Sequence, residues 1–328
     1  MSKKVNRLAL SAVLFALCLP AEAQQPTKIP RIGYLMGSSF SASSARIVSF
    51  RQGLRELGYV EGKNIVIEWR SAEGNFDRLP ALAAELVRLK VDIIVTTGAA
   101  PNRAAKEATA TIPIVMAQSG DPVAEGLVAS LARPGGNITG LSTLAPELSG
   151  KRLELMKEII PTLSRVAVFR TSTQPGIAHV LKEIELAAGA LKVKPQYLDV
   201  LSPKDFETAF QAAVNGRADA VLMLVSGPVL NPHRKETAAL AVKHRLPVIY
   251  RNREDVETGG LMSYGVNLPD LDRRAATYVD KILKGAKPAE LPVEQPMKFE
   301  FVINLKAAKQ IGLTIPPNVL VRADRVIK

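Results

Sequence analysis

The chain has 328 residues, 47% of them hydrophobic and only 5% aromatic, with a formal net charge of +12 and one cysteine, Cys18. That length exceeds what one small core needs, so two compact lobes are expected. The basic excess is spread along helices beside acids, as in Lys151-Arg152-Leu-Glu154, with no aromatics between, which marks solvated helix faces and speaks against a nucleic-acid surface.

Residues 1–23 read as a secretory signal peptide. Lys3, Lys4 and Arg7 precede an apolar run at 8–19, and Ala21-Glu22-Ala23 forms a small-x-small cleavage site. The run is too short to anchor the chain in a membrane. Leu17 ahead of Cys18 disfavours lipid attachment there, since such a site wants a small residue at that position. After cleavage no cysteine remains, which excludes disulfides and thiolate metal sites.

A first strand at 31–35 leads into a polar loop with Ser38 and Ser39, then a helix marked by Ile47, Phe50, Leu54 and Leu57. A strand at 64–69 precedes a helix carrying Leu79, Leu82, Leu86 and Leu89. A third strand at 92–98 opens into Ala99-Ala-Pro101 and another helix. The short apolar run Ile114-Val-Met116, set between Pro113 and Gln118, predicts a strand buried on both faces. Asp121-Pro122 then reads as an N-cap with proline at the first helical position. Val123, Leu127, Val128 and Leu131 recur at helical spacing, so a helix is expected up to Arg133-Pro-Gly-Gly136.

Asn137-Ile-Thr-Gly-Leu-Ser-Thr143 leads into a helix bearing Leu153, Met156, Ile159 and Ile160, after which the pattern restarts. A strand at 165–169 ends in Thr171-Ser172-Thr173, and a helix follows with Val180, Ile184, Ala188 and Leu191. Strands at 197–201, 221–225 and 247–250 alternate with helices at 206–214 and 237–244. What remains is a strand at 259–265, a helix at 271–283, a proline-rich connector at 288–296, a strand at 299–304 and a helix at 306–311. These are too few for a third core, so they complete the earlier sheets. The alternation predicts an α/β fold of two Rossmann-like lobes with parallel sheets, joined by a hinge that the chain crosses several times. Lobe 1 is expected to hold 29–143 plus 254–290, and lobe 2 146–250 plus 293–328.

Signatures of catalysis are missing from the sequence. His179, His233 and His244 are scattered, G-x-S-x-G and H-E-x-x-H do not occur, and Asn64 stands where a phosphate loop after Gly58 would need Ser or Thr. A binding role without metal or cofactor is therefore expected. What recurs is polar chemistry at strand ends: Ser38 and Ser39, Thr97 with Gly98, Ser119 with Asp121, Ser172, and Ser226 with Gly227. Each alone is what turns and caps prefer. Five of them on the same edge of two sheets point to a shared ligand cleft.

Within that cleft, Thr97-Gly98-Ala99 is the first candidate to grip a carboxylate, because glycine permits close backbone approach at a helix start. Several hydrogen bonds to a charged group, at roughly 1.5–3 kcal/mol each, would hold it. Asp121 either caps its helix or spares one oxygen for a ligand ammonium. Arg251 is placed to point into the cleft, with Arg253 and Glu254 as a hinge ion pair. Tyr264 and Phe40 either stack on an aromatic ligand, stand as wall residues or belong to the core.

Several segments resemble the tryptophan/tyrosine-type ABC transporter substrate-binding proteins, a periplasmic family with the type I binding-protein fold. They are Phe50-Arg-Gln-Gly-Leu-Arg-Glu-Leu-Gly-Tyr-Val-Glu-Gly62, Gly120-Asp-Pro-Val123, Arg133-Pro-Gly-Gly-Asn-Ile-Thr-Gly140, Gly259-Gly-Leu-Met-Ser-Tyr-Gly265 and Lys298-Phe-Glu-Phe-Val-Ile-Asn-Leu305. The resemblance spans essentially the whole mature chain. It implies a three-strand hinge and an amino-acid-like ligand near Thr97, Gly98 and Asp121. It also implies a periplasmic monomer that delivers an amino-acid-like or aromatic carboxylate solute to an ABC permease. The rival readings are a ligand-sensing receptor of a signalling system and, with less support, a periplasmic α/β enzyme.

Overall fold

The structure is a computed structural model that describes residues 28–174, 176–227 and 229–328; the expected signal peptide and Cys18 lie outside them. β1 (Arg31–Met36), β2 (Val66–Ser71), β3 (Ile93–Thr97), β4 (Ile114–Ser119) and β5 (Ile138–Ser142) form a five-stranded sheet in the order β2-β1-β3-β4-β5. All its pairings are parallel. Helices α1 (Ser44–Glu56), α2 (Leu79–Arg88) and α3 (Ala99–Ala108) alternate with these strands. Every residue of β4 and of β5 is buried, as expected for strands covered on both faces.

The chain then crosses over. α4 (Ala145–Ile159), β6 (Arg165–Arg170), α5 (Ile177–Leu191), β7 (Lys194–Asp199), α6 (Asp205–Asn215), β8 (Ala220–Met223), α7 (Arg234–Lys243), β9 (Val248–Tyr250), α8 (Arg253–Glu257) and β10 (Met262–Val266) follow. α9 (Leu268–Leu283) returns to pack on α1 and β4. The chain crosses once more to β11 (Phe299–Asn304), α10 (Leu305–Ile311), α11 (Pro317–Leu320) and β12 (Arg325–Ile327). The second sheet runs β12-β11-β10-β9-β8-β6-β7 and is parallel throughout except where β10 meets β11. Each sheet has an apolar cluster on either face, so each lobe is a three-layer sandwich with its own core.

Three features differ from the expectation. The helix expected from Pro122 to Leu131 is replaced by turns at 122–126. Glu125 folds back so that its carboxylate accepts from Ser119 Oγ and from the backbone N–H groups of Gly120 and Asp121. Gly126 then takes a left-handed φ of 68°, and the N–H groups of Leu127 and Val128 both donate to Pro122 O, closing the turn instead of propagating it. The stretch from Asn137 to Thr143, read only as a lead into a helix, contains β5. Last, β10 falls within 254–290, grouped above with lobe 1, but it is hydrogen-bonded between β9 and β11 of the larger sheet. Only from α9 onward does that stretch pack against the smaller sheet.

Candidate functional site

The carboxyl ends of β1, β3 and β4 face those of β6, β8 and β9 across a cavity of about 410 Å³. That size suits a small organic molecule. The first lobe contributes Ser38, Thr97, Gly98, Ala99, Gln118, Ser119, Asp121 and Glu125, and the second Ser149, Arg152, Thr171, Thr173, Ser226 and Arg251. Thr143 stands where the chain crosses between them. The lobes touch at the rim: His179 Nδ1 lies 3.1 Å from Asp121 Oδ2, and the Phe76 ring reaches across to Gly227.

The start of α3 is fixed by a buried polar lock. Thr96 Oγ1 donates to Asn102 Oδ1 at 2.6 Å, and Asn102 Nδ2 donates to Gln118 O at 3.0 Å. Gly98 N donates to the same carbonyl at 3.0 Å. The register between β3 and β4 shifts at this point, and such an irregularity re-aims the side chains beside it. Gln118 is turned so that Nε2 donates to Asp272 Oδ2 at 2.7 Å, while Tyr34 Oη donates to Asp272 Oδ1 at 2.6 Å. Asn102→Ala is expected to lower stability by about 2 kcal/mol, because it leaves the buried Thr96 hydroxyl without its acceptor and takes one of two donors from Gln118 O. A chemical denaturation midpoint shifted down with an unchanged slope would check this.

Among the charged lining residues the first lobe carries Asp121, Glu125 and Arg46, and the second Arg152 and Arg251. Asp121 Oδ1 accepts from the N–H groups of Val123 and Ala124, and burial raises the Glu125 carboxyl above its ordinary value. Opposite them, Arg152 is 2% exposed. Its Nε donates to Tyr264 O at 2.6 Å and its Nη1 to Ser149 Oγ at 3.3 Å. Burial, reinforced by nearby Arg251, pulls its guanidinium down to about 9. Burial lowers Arg251 as well; its hydrogen bonds, from Nη1 to Leu224 O and Ser226 Oγ, are long at 3.5 and 3.4 Å. Neither arginine forms a salt bridge among the described residues.

Residues 39–327 match the family described as ABC transporter substrate binding protein. The chain belongs to that family. It is 25% identical to the Tyrosine-binding protein of Clostridioides difficile over 264 residues, 80% of this chain and 75% of that one. A conserved domain protein from Vibrio cholerae superposes with a TM-score of 0.85 at 29% identity, covering 91% of this chain and 100% of the other. The ABC domain in complex with L-Trp from Streptococcus pneumoniae superposes at 0.84 and 26% identity, covering 91% and 99%. These likenesses show a type I periplasmic binding protein fold.

In this substrate binding protein, eight of the residues singled out on sequence line the cavity: Ser38, Thr97, Gly98, Ala99, Ser119, Asp121, Ser226 and Arg251. Three others lie elsewhere. Ser39 caps the turn before α1, its Oγ accepting from Ala42 N. Ser172 is exposed and does not line the cavity; Thr171, whose hydroxyl donates to Val200 O, and the exposed Thr173 line it instead. The Tyr264 ring packs on Phe299 and Phe301, with centroids 6.2 Å away in each case, so only its carbonyl serves the site, by holding Arg152. The Asp121 oxygen reserved for a ligand meets His179 instead. Arg253 pairs with Glu300, at 3.3 Å, and not with Glu254. Arg152, Thr143 and Gln118 went unmarked on sequence; Arg152 had been assigned to a solvated face.

Proposed function

We propose that this substrate binding protein is the periplasmic component of an ABC importer and clamps one small amino-acid-like or aromatic carboxylate solute between its lobes. In this reading it acts as an exported monomer, handing the solute to an inner-membrane permease without chemical change. The observation that carries it is the cavity at the carboxyl ends of both sheets, walled by both lobes, in a chain whose residues 39–327 match the family. Relatives described as binding tyrosine or complexed with L-Trp supply the solute class. Closure around the solute shifts an open–closed equilibrium, and the closed form would be the one the permease reads. Here the lobes are 29–143 with α9, and 144–266 with the C-terminal strands.

A thermal-shift screen of the mature chain tests the solute class. L-tyrosine, L-tryptophan and aryl carboxylates present at about 100 times their Kd would stabilise the folded state by ~2.7 kcal/mol. The expected result is a rise in Tm with at least one of them and none with sugars or purines. A shift with sugars alone would overturn the class.

A further inference from the structure

We infer that the solute carries an acidic group held by Arg152, Arg251 and Thr143, and that a ligand of net negative charge outbinds the zwitterion of the same skeleton. The inference rests on the solute-binding role proposed above and specifies its ligand.

Both first-lobe carboxylates that line the cavity already have donors from the protein itself. Asp121 accepts from two backbone N–H groups and faces His179. Glu125 accepts from Ser119 Oγ and two backbone N–H groups. A ligand ammonium would find no carboxylate there that lacks a partner.

On the opposite wall the shortage is of acceptors. Arg152 is buried, its Nε and Nη1 are occupied by neutral oxygens, and its Nη2 has no hydrogen-bond partner among the described residues. Arg251 has only the two long contacts to Leu224 O and Ser226 Oγ. Gly265 lies between the Arg152 side chain and the Arg251 backbone: a Cβ there would lie 3.8 Å from Arg152 Nη2 and 1.9 Å from the Arg251 carbonyl oxygen. Thr143 is 9% exposed, lines the same cavity, and its Oγ1 has no hydrogen-bond partner among the described residues. A buried guanidinium with a second, half-buried one near it, both without a counter-ion among the described residues, is costly unless an anion completes the pair. A carboxylate fits, since a guanidinium presents paired N–H groups to its two oxygens.

Calorimetric titration of the mature chain with matched pairs tests this: L-tyrosine against hydroxyphenylpropanoate, L-tryptophan against indole propanoate, and L-leucine against 4-methylpentanoate. In at least one pair the ammonium-free acid is expected to bind tenfold or more tightly than its amino acid. Arg152→Gln and Arg251→Gln should each weaken that acid tenfold or more, and Arg152→Lys and Arg251→Lys should recover part of the loss. Without ligand, Arg152→Gln should melt no lower than the parent, because it removes an unneutralised buried charge; a purely structural arginine would give a lower Tm. Tighter binding of the amino acid in every pair that binds, or an unchanged Kd in both glutamine variants, would overturn the inference. If amino acids alone bind and Thr97→Trp blocks them, the solute-binding role stands and the acidic ligand falls. If no member of any pair binds, both fall.

Discussion

Gly265→Ala is expected to lower the melting temperature by 10 °C or more and to eliminate solute binding, although residue 265 does not line the cavity. An added Cβ would lie 1.9 Å from the carbonyl oxygen of Arg251 and 3.1 Å from its carbonyl carbon. Neither is the end of a flexible side chain. Relief requires β10 to move away from the segment after β9, yet β10 is paired on both edges, with β9 and β11. Overpacking of this kind costs above ~3 kcal/mol where backbone must shift. In a domain of this size each kcal/mol moves the melting point by about 2–4 °C. Because the displaced group is the backbone of Arg251, the second wall of the cavity is distorted along with the sheet. Circular dichroism melting with calorimetric titration of the same variant checks both parts; a parent-like melt would show that the strands separate at little cost.

Asp272→Ala is expected to cost about 3 kcal/mol, since it orphans two buried donors at once. Asp272 is fully buried on α9 and ties the Tyr34 hydroxyl of β1 to the Gln118 amide at the cavity wall. Burial raises its carboxyl above the ordinary value, with Arg46 and the two hydrogen bonds opposing that rise. Asp272→Asn should lose less than half as much. Its amide oxygen still accepts from Tyr34, and Gln118 can turn its own amide to meet the new N–H group. Urea denaturation of both variants gives the comparison. Equal losses would mean that the negative charge, and not the pattern of donors and acceptors, is what the network requires.

Much of this fold is legible in the sequence because its strands are short apolar runs and its helices carry clear stripes. The period of Leu79, Leu82 and Leu86 alone places α2 on its sheet. The segment after Asp121 shows where such reasoning fails. Val123, Leu127, Val128 and Leu131 have helical spacing, but Glu125 offers the backbone a closer set of acceptors, and Gly126 lets the chain turn away. Arg152 shows a signal that was present and outweighed. It lies four residues after Leu148 and four before Met156, on the buried face of α4, where a charged residue is out of place. Its neighbour Lys151, paired with exposed Glu154, made the whole stretch look solvated. The loops at Ser38, Thr97, Ser119 and Ser226 follow from the rule that parallel sheets bind ligands at strand carboxyl ends. Which residues of Thr171-Ser172-Thr173 line the cavity depends on loop torsions that the sequence does not carry. For Tyr264 the sequence leaves ligand stacking and core open alike, since an aromatic beside a hinge serves either; its ring packs on Phe299 and Phe301.

The central claim is that one solute is held by two walls belonging to different lobes. Isothermal titration of the tightest-binding member of the panel against Thr97→Trp, which fills the cavity from the first lobe, and against Arg251→Gln, which disarms it from the second, tests that claim most directly. The parent should bind one molecule per chain, and each variant, still folded by circular dichroism, should lose at least tenfold in affinity. Undiminished one-to-one binding to the Thr97→Trp protein would place the solute outside this cavity and contradict the claim.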